Sequence, residues 1–116
     1  MTMKHLDYLK NLVIMASADG SLTEREIAWL VDRCAELGLG EADLGEAMEF
    51  AISDEATMKL PKEKSEQMRM LGDLIRIMAA DGDLDEIEKR LFALAAAKMN
   101  VTQKELDELI TKLVKD

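Results

Sequence analysis

The chain reads "ADGSLTERE" at Ala18–Glu26 and "ADGDLDEIE" at Ala80–Glu88. Each stretch separates two segments whose apolar residues recur at helical spacing. Gly20 and Gly82 stand where a helix turns left-handed to stop. Thr23 is placed to cap the next helix, with Glu26 three residues on to bond back, which is a capping box. Asp85 and Glu88 repeat that arrangement. Leu22 precedes the cap and has staple spacing to Ile27. The quoted stretch therefore predicts a helix–turn–helix joint, used twice.

The duplication extends outward from the joint. Gly38 and Asn100 are predicted helix stops, Gly40 and Thr102 predicted caps. Leu39–Leu44 and Val101–Leu106 have staple spacing. All of these pairs share one offset, 62 residues. Leu9–Ile52 aligned on Leu71–Val114 without a gap gives 11 identities in 44 positions. The apolar stripes number six. They are Leu6/Leu9/Val13/Ala16 with Leu12, Ile27/Leu30/Val31/Cys34/Leu37, and Leu44/Ala47/Met48/Ala51. The second half adds Met68/Leu71/Leu74/Ile75/Met78, Leu91/Leu94/Ala95/Met99 and Leu106/Leu109/Ile110/Leu113. Only Pro61 interrupts a composition rich in strong helix formers, and it suits the first turn of the helix after it. The expectation is an all-α fold, a compact bundle of six to seven helices in one domain over residues 1–116. It would hold two pseudo-symmetric three-helix repeats, about 3–52 and 62–115, joined by a link at 53–61 with room for one short turn of helix. Two copies are too few for a solenoid, so they should pack on each other.

Composition narrows the function. The single cysteine excludes an internal disulfide, and 116 residues suffice for one core. The opening "MTMKHLDYLKN" is charged from its first turns and does not read as a signal peptide. No apolar run reaches the ~20 residues that cross a bilayer. The reading is a cytoplasmic protein with no direct membrane insertion. Net charge is −9, with 24 acids against 15 bases. Residues 34–58 hold acids and no base, and so do residues 81–88. Such a surface repels phosphate backbones, so nucleic acid is not an expected partner. Cations and basic protein patches are.

Asp19 and Asp81 read as lying at helix C-termini, where the macrodipole disfavours negative charge by ~0.3–1 kcal/mol. The same break in both copies points to compensation. One compensation is local: the carboxylate accepts turn N–H groups and sets the angle between helices. The other is a cation shared with acids of the next helix. Glu26 and Glu88 carry the same ambiguity, as capping-box residues or as ligands. The candidate metal residues are Asp19, Glu26, Asp81 and Glu88, with Glu24, Asp83, Asp85 and Glu86 secondary. An all-carboxylate set suits Ca, Mg or Mn. It is not an EF-hand, because Glu86 stands where glycine is needed and Phe92 where the bidentate glutamate belongs.

The doubled "ADG-x-L-x-x-x-E", with the entry "LPKE" at Leu60–Glu63, resembles the tellurite-resistance TerB family and its wider TerB-like domains. The resemblance spans nearly the whole chain. It implies a roughly seven-helix fold and an acidic surface proposed to bind metal, carried here by Asp19 with Glu26 and Asp81 with Glu88. It further implies a link to metal or oxyanion stress response and association with membrane-linked complexes, with no established enzyme activity. The residues agree on that last point. No nucleophile–base pair or cofactor loop is visible, and "LGLGEADLG" fails the dinucleotide fingerprint in spacing and context. The expected role is an adaptor that engages a protein partner. The alternative is a purely structural interaction module without a metal. Cys34, on an apolar stripe, reads as core, and the nine methionines as gap fillers. His5 reads as exposed, and Trp29 as the edge of the core.

Overall fold

The apolar stripes around Leu9–Val13 and Met70–Met78 become the centre of the bundle. The computed structural model describes residues 3–18, 20, 22–80 and 86–115, with side chains through residue 112. Its elements are α1 (His5–Ala16), α2 (Glu24–Leu37), α3 (Glu41–Ala51), α4 (Lys64–Ala79), α5 (Glu86–Lys98) and α6 (Gln103–Lys115). Among the described residues the fold is all-helical. Helix α1 packs against α2, α3, α4 and α5, and α4 packs against α1, α2, α5 and α6. The Cα radius of gyration is 13.4 Å, close to the ~13 Å of a compact chain this long, so the six helices form one body. Leu9, Leu12, Leu71, Leu74 and Ile77, on the two central helices, are fully buried. Each such side chain removed from water is worth about 1.5–3 kcal/mol.

The local signals explain most element ends. Helix α2 begins with a complete capping box: the Thr23 hydroxyl accepts from the Glu26 N–H at 3.1 Å, and Glu26 Oε1 accepts from the Thr23 N–H at 3.0 Å. Helix α6 begins the same way with Thr102 and Glu105. Gly38 is left-handed (φ 75°), and the N–H groups of Gly38 and Leu39 return to the carbonyls of Ala35 and Cys34. Asn100 (φ 57°) closes α5 identically, with Asn100 and Val101 bonding back to Ala97 and Ala96. Both ends are Schellman stops. The starts of α2 and α5 (24 and 86) and of α3 and α6 (41 and 103) are each 62 residues apart.

Four expectations need correction. Helix α1 ends at Ala16, not at Gly20. Ser17 is its C-cap: the Ser17 N–H and hydroxyl both reach the Val13 carbonyl, and the next N–H, of Ala18, bonds back only three residues, to Met15. Gly20 (φ 89°) instead closes a separate turn onto the Ser17 carbonyl. Pro61 precedes α4 rather than opening it, and its carbonyl accepts from Gln67 Nε2 at 3.0 Å. The link holds hydrogen-bonded turns at Ser53 and Ala56 but no helix. Finally, Val31, Leu94 and Ile110 are exposed despite their places in the apolar stripes. In α5 the core side is taken by Ala95 and Ala96, and Leu94, 100° round the helix from Ala95, falls on the outer side. Every described methionine lies in the core or against it. Cys34 is buried, and burial pushes its thiol up, with Asp43 adding to the shift.

Asn11 is 1% exposed and lies amid the apolar residues of α1. Its amide donates to the Lys59 carbonyl and accepts from the Lys59 N–H, both at 2.9 Å. One side chain thus satisfies both backbone groups of a link residue and straps the link to the central helix. Truncation leaves those buried groups unpaired, so Asn11→Ala should lower stability by about 2 kcal/mol. Urea unfolding measures this; a change under a few tenths of a kcal/mol would show that water replaces the strap.

Candidate functional site

The doubled joint is the site the sequence nominates, and its parts fall differently. Glu26 is 4% exposed, and its Oε1 accepts from both the Thr23 N–H and the Thr23 hydroxyl at 3.0 Å. Glu88 is likewise 4% exposed, in the first turn of α5. Glu24 and Glu86 are exposed, and Glu86 lies 3.6 Å from Lys89. Asp19, Asp81, Asp83 and Asp85 lie outside the described residues. The helices that carry Glu26 and Glu88 both pack on α1 and α4 and make no contact with each other among the described residues. The α1 end at Ala16 also revises the premise for Asp19. The macrodipole acts within the last turn, and Asp19 comes three residues beyond it. Among the described residues, no three His, Cys, Asp or Glu side chains converge as a metal would require.

The structure adds a polar centre that the sequence does not announce. Asp73, in the middle of α4, is 1% exposed. Its Oδ2 accepts from the Tyr8 hydroxyl of α1 at 2.5 Å. Its Oδ1 accepts from Arg33 of α2 at 3.0 Å and from Arg76 at 3.1 Å. Arg33 also pairs with Glu36 and lies over the Trp29 ring at 4.9 Å. Arg69 lies over the Tyr8 ring at 5.3 Å. Three helices therefore meet on one carboxylate. Burial pushes the Tyr8 hydroxyl well above its ordinary 10.0, and the bond to Asp73 adds to the shift.

Sequence reasoning missed this centre because its bonds span 40 and 65 residues. A signal existed: Asn11 and Asp73 are partners at the offset of 62, each a polar residue inside an apolar stripe. Polar groups at core positions are hydrogen-bonded, so the pair marks where long-range bonds must lie.

The remaining candidates resolve simply. His5 is exposed, and its Nδ1 lies 2.8 Å from the Leu37 carbonyl, to which it donates at the end of α2. Trp29 packs at the edge of the core beneath Arg33. In the acid-rich 34–58 segment, Asp43 accepts from the Gly40 N–H, and Glu46 lies 3.8 Å from Lys10. No helix among the described residues is long and apolar enough to cross a membrane.

Comparisons with known proteins find no matching family model, no matching curated protein and no matching solved structure.

Two expectations follow from the Asp73 centre. Asp73→Ala leaves two guanidinium groups and a buried hydroxyl without their shared acceptor, and should cost about 3 kcal/mol in urea unfolding. The single tyrosine also makes its own titration readable. Because its folded pKa lies above the unfolded one, its contribution is complete below the unfolded value and is lost as pH rises beyond it. Tyrosinate absorbance should therefore appear only together with loss of helical circular dichroism. A folded chain that titrates at the ordinary value would show Tyr8 to be solvent-accessible.

Proposed function

We propose that the chain is a small acidic adaptor of the TerB-like kind, without catalysis, built from two repeats offset by 62 residues. In this reading its paired Asp-Gly joints hold a divalent cation, and its surface engages a protein partner in metal or oxyanion stress response, such as a membrane-associated complex. One observation carries it: Glu26 and Glu88 occupy the same place in the doubled motif, and both are 4% exposed. A capping-box glutamate does not need such burial. Glu105 does the same work at the head of α6 with its side chain 30% exposed. Carboxylates withdrawn from water are paired, hydrogen-bonded or metal-bound. Asp19 and Asp81 would complete an all-oxygen set suited to Ca, Mg or Mn.

A second reading has its own support. Glu26 Oε1 already holds the Thr23 N–H and hydroxyl, so the joint is mechanically complete as a cap. The chain is then a structural interaction module with no metal.

Thermal unfolding with millimolar Ca, Mg and Mn separates the two. A cation at tenfold its Kd adds about 1.4 kcal/mol, which raises Tm by roughly 5 °C in a domain of this size. Asp19→Asn and Asp81→Asn should abolish that rise while leaving the fold intact. No rise in the parent chain, with both variants folded, sinks the cation site and leaves the structural module.

A further inference from the structure

Helix α6 is seated differently from its counterpart in the first half of the chain. Helix α3 packs against both α1 and α2, with Leu44 and Ala47 buried. At the offset of 62, Leu106 and Leu109 take those two places in α6, and Ile110 takes the place of Met48. Among the described residues α6 packs against α4 alone. Leu106 and Leu109 are half-buried against the core, and Ile110 is 43% exposed. Alone among the six helices, α6 has no buried side chain among the described residues. The chain just before it is fixed by contrast: Met99 and Val101 are buried, on either side of the left-handed Asn100. A charged tie supplements the shallow seat. The Lys64 ammonium, at the head of α4, lies 2.6 Å from Glu105 Oε2, at the head of α6.

We infer that α6 is a detachable helix, latched to α4 by the Lys64–Glu105 pair, which leaves the bundle as one unit while α1 to α5 stay packed. Local stability follows buried apolar contact, and α6 has the least of it. The hinge is the segment after Val101, the last buried residue before the helix. Glu105 uses Oε1 for its capping box and Oε2 for the latch, so the latch breaks with the cap intact. The bond from Gln103 Nε2 to Asp107 is also internal to α6 and does not resist undocking. A free helix of 13 residues is marginal in water, so release also melts it. Lys64 and Glu105 both reach solvent, so neutralising either one, or raising the salt, favours release. The same feature makes the helix a device that a competing charge can open. This inference goes beyond the proposed adaptor role and does not depend on the cation site.

Native-state hydrogen exchange of the full chain, read amide by amide, tests it. The amides from Leu106 to Thr111 should exchange together, at least about tenfold faster than those of α1 and α4. Their rates should also depend far less on added urea, because little surface opens with them. Lys64→Gln, which leaves α6 itself untouched, should speed exchange across the whole helix by about two- to fivefold. Asn11→Ala, which weakens the body, should speed the α1 and α4 amides and leave those of α6 unchanged. Exchange of α6 at the rate and urea dependence of α1 and α4, or its acceleration by Asn11→Ala, overturns the inference, since α6 then opens only with the whole bundle. Protection that climbs steadily towards Leu106 also overturns it, in favour of fraying from one end. Uniform opening that ignores Lys64→Gln overturns the latch.

Discussion

The fold turns on one buried carboxylate. Asp73 lies inside the bundle at 1% exposure, in surroundings that would penalise an unpaired charge by several kcal/mol. The compensation comes from two arginines and a tyrosine, and it is directional. Tyr8 comes from α1 and Arg33 from α2, so these bonds favour packings in which both helices turn those side chains to Asp73. The surrounding leucines are indifferent to such rotations, since apolar burial scales with area and not with direction. Asn11 imposes the same kind of condition on the link through two bonds to a single peptide unit. Division of labour follows: the apolar core supplies most of the stabilisation, and these two polar residues select among the ways of packing it.

The joints work at shorter range. Capping boxes at α2 and α6 and Schellman stops at α2 and α5 satisfy terminal backbone groups with residues three or five positions away. Such devices define where helices start and stop but leave their crossing angles open. The Asp73 and Asn11 bonds close that gap. It matters for the proposed site, because Glu26 and Glu88 can act together only if α2 and α5 are held at a defined separation. Both helices rest on α1 and α4, and α2 is tied to that central pair through Arg33.

This difference in range explains what was legible in the sequence. Helix identity, order and most ends follow from residues close in the chain, and Thr23–Glu26 or Gly38–Leu39 could be read directly. The end of α1 differs from the sequence reading because the chain tightens right after Ala16, with Ala18 bonding back to Met15, before the glycine is reached. Which side of α5 faces the core, that of Ala95 and Ala96 or that of Leu94, is set by the neighbouring helices and so is a tertiary fact. The candidate site was legible as residue types, and the burial of its glutamates was not. An N3 glutamate carries the same letter whether it is 4% or 30% exposed.

The internal use of arginine also bears on what the surface can bind. The sequence counts 24 acids against 15 bases, but the bases are not all available to solvent. Arg33 is largely withdrawn, with Asp73 and Glu36 as partners, and Arg76 bends to the same buried carboxylate. Lys64 is held by Glu105 at 2.6 Å, which also keeps that carboxyl below the usual glutamate range. Withdrawal removes Asp73 and Arg33 together, so it leaves the net charge unchanged. What it alters is texture. Arg33 and Arg76 are turned towards Asp73, while Arg25, Arg69 and Arg90 stay exposed and the acids of residues 34–58 remain mostly at the surface. The bonds that hold the bundle together thus take Arg33 out of the recognition surface, and the acids of residues 34–58 leave that part of the exterior open to a cation or a basic segment.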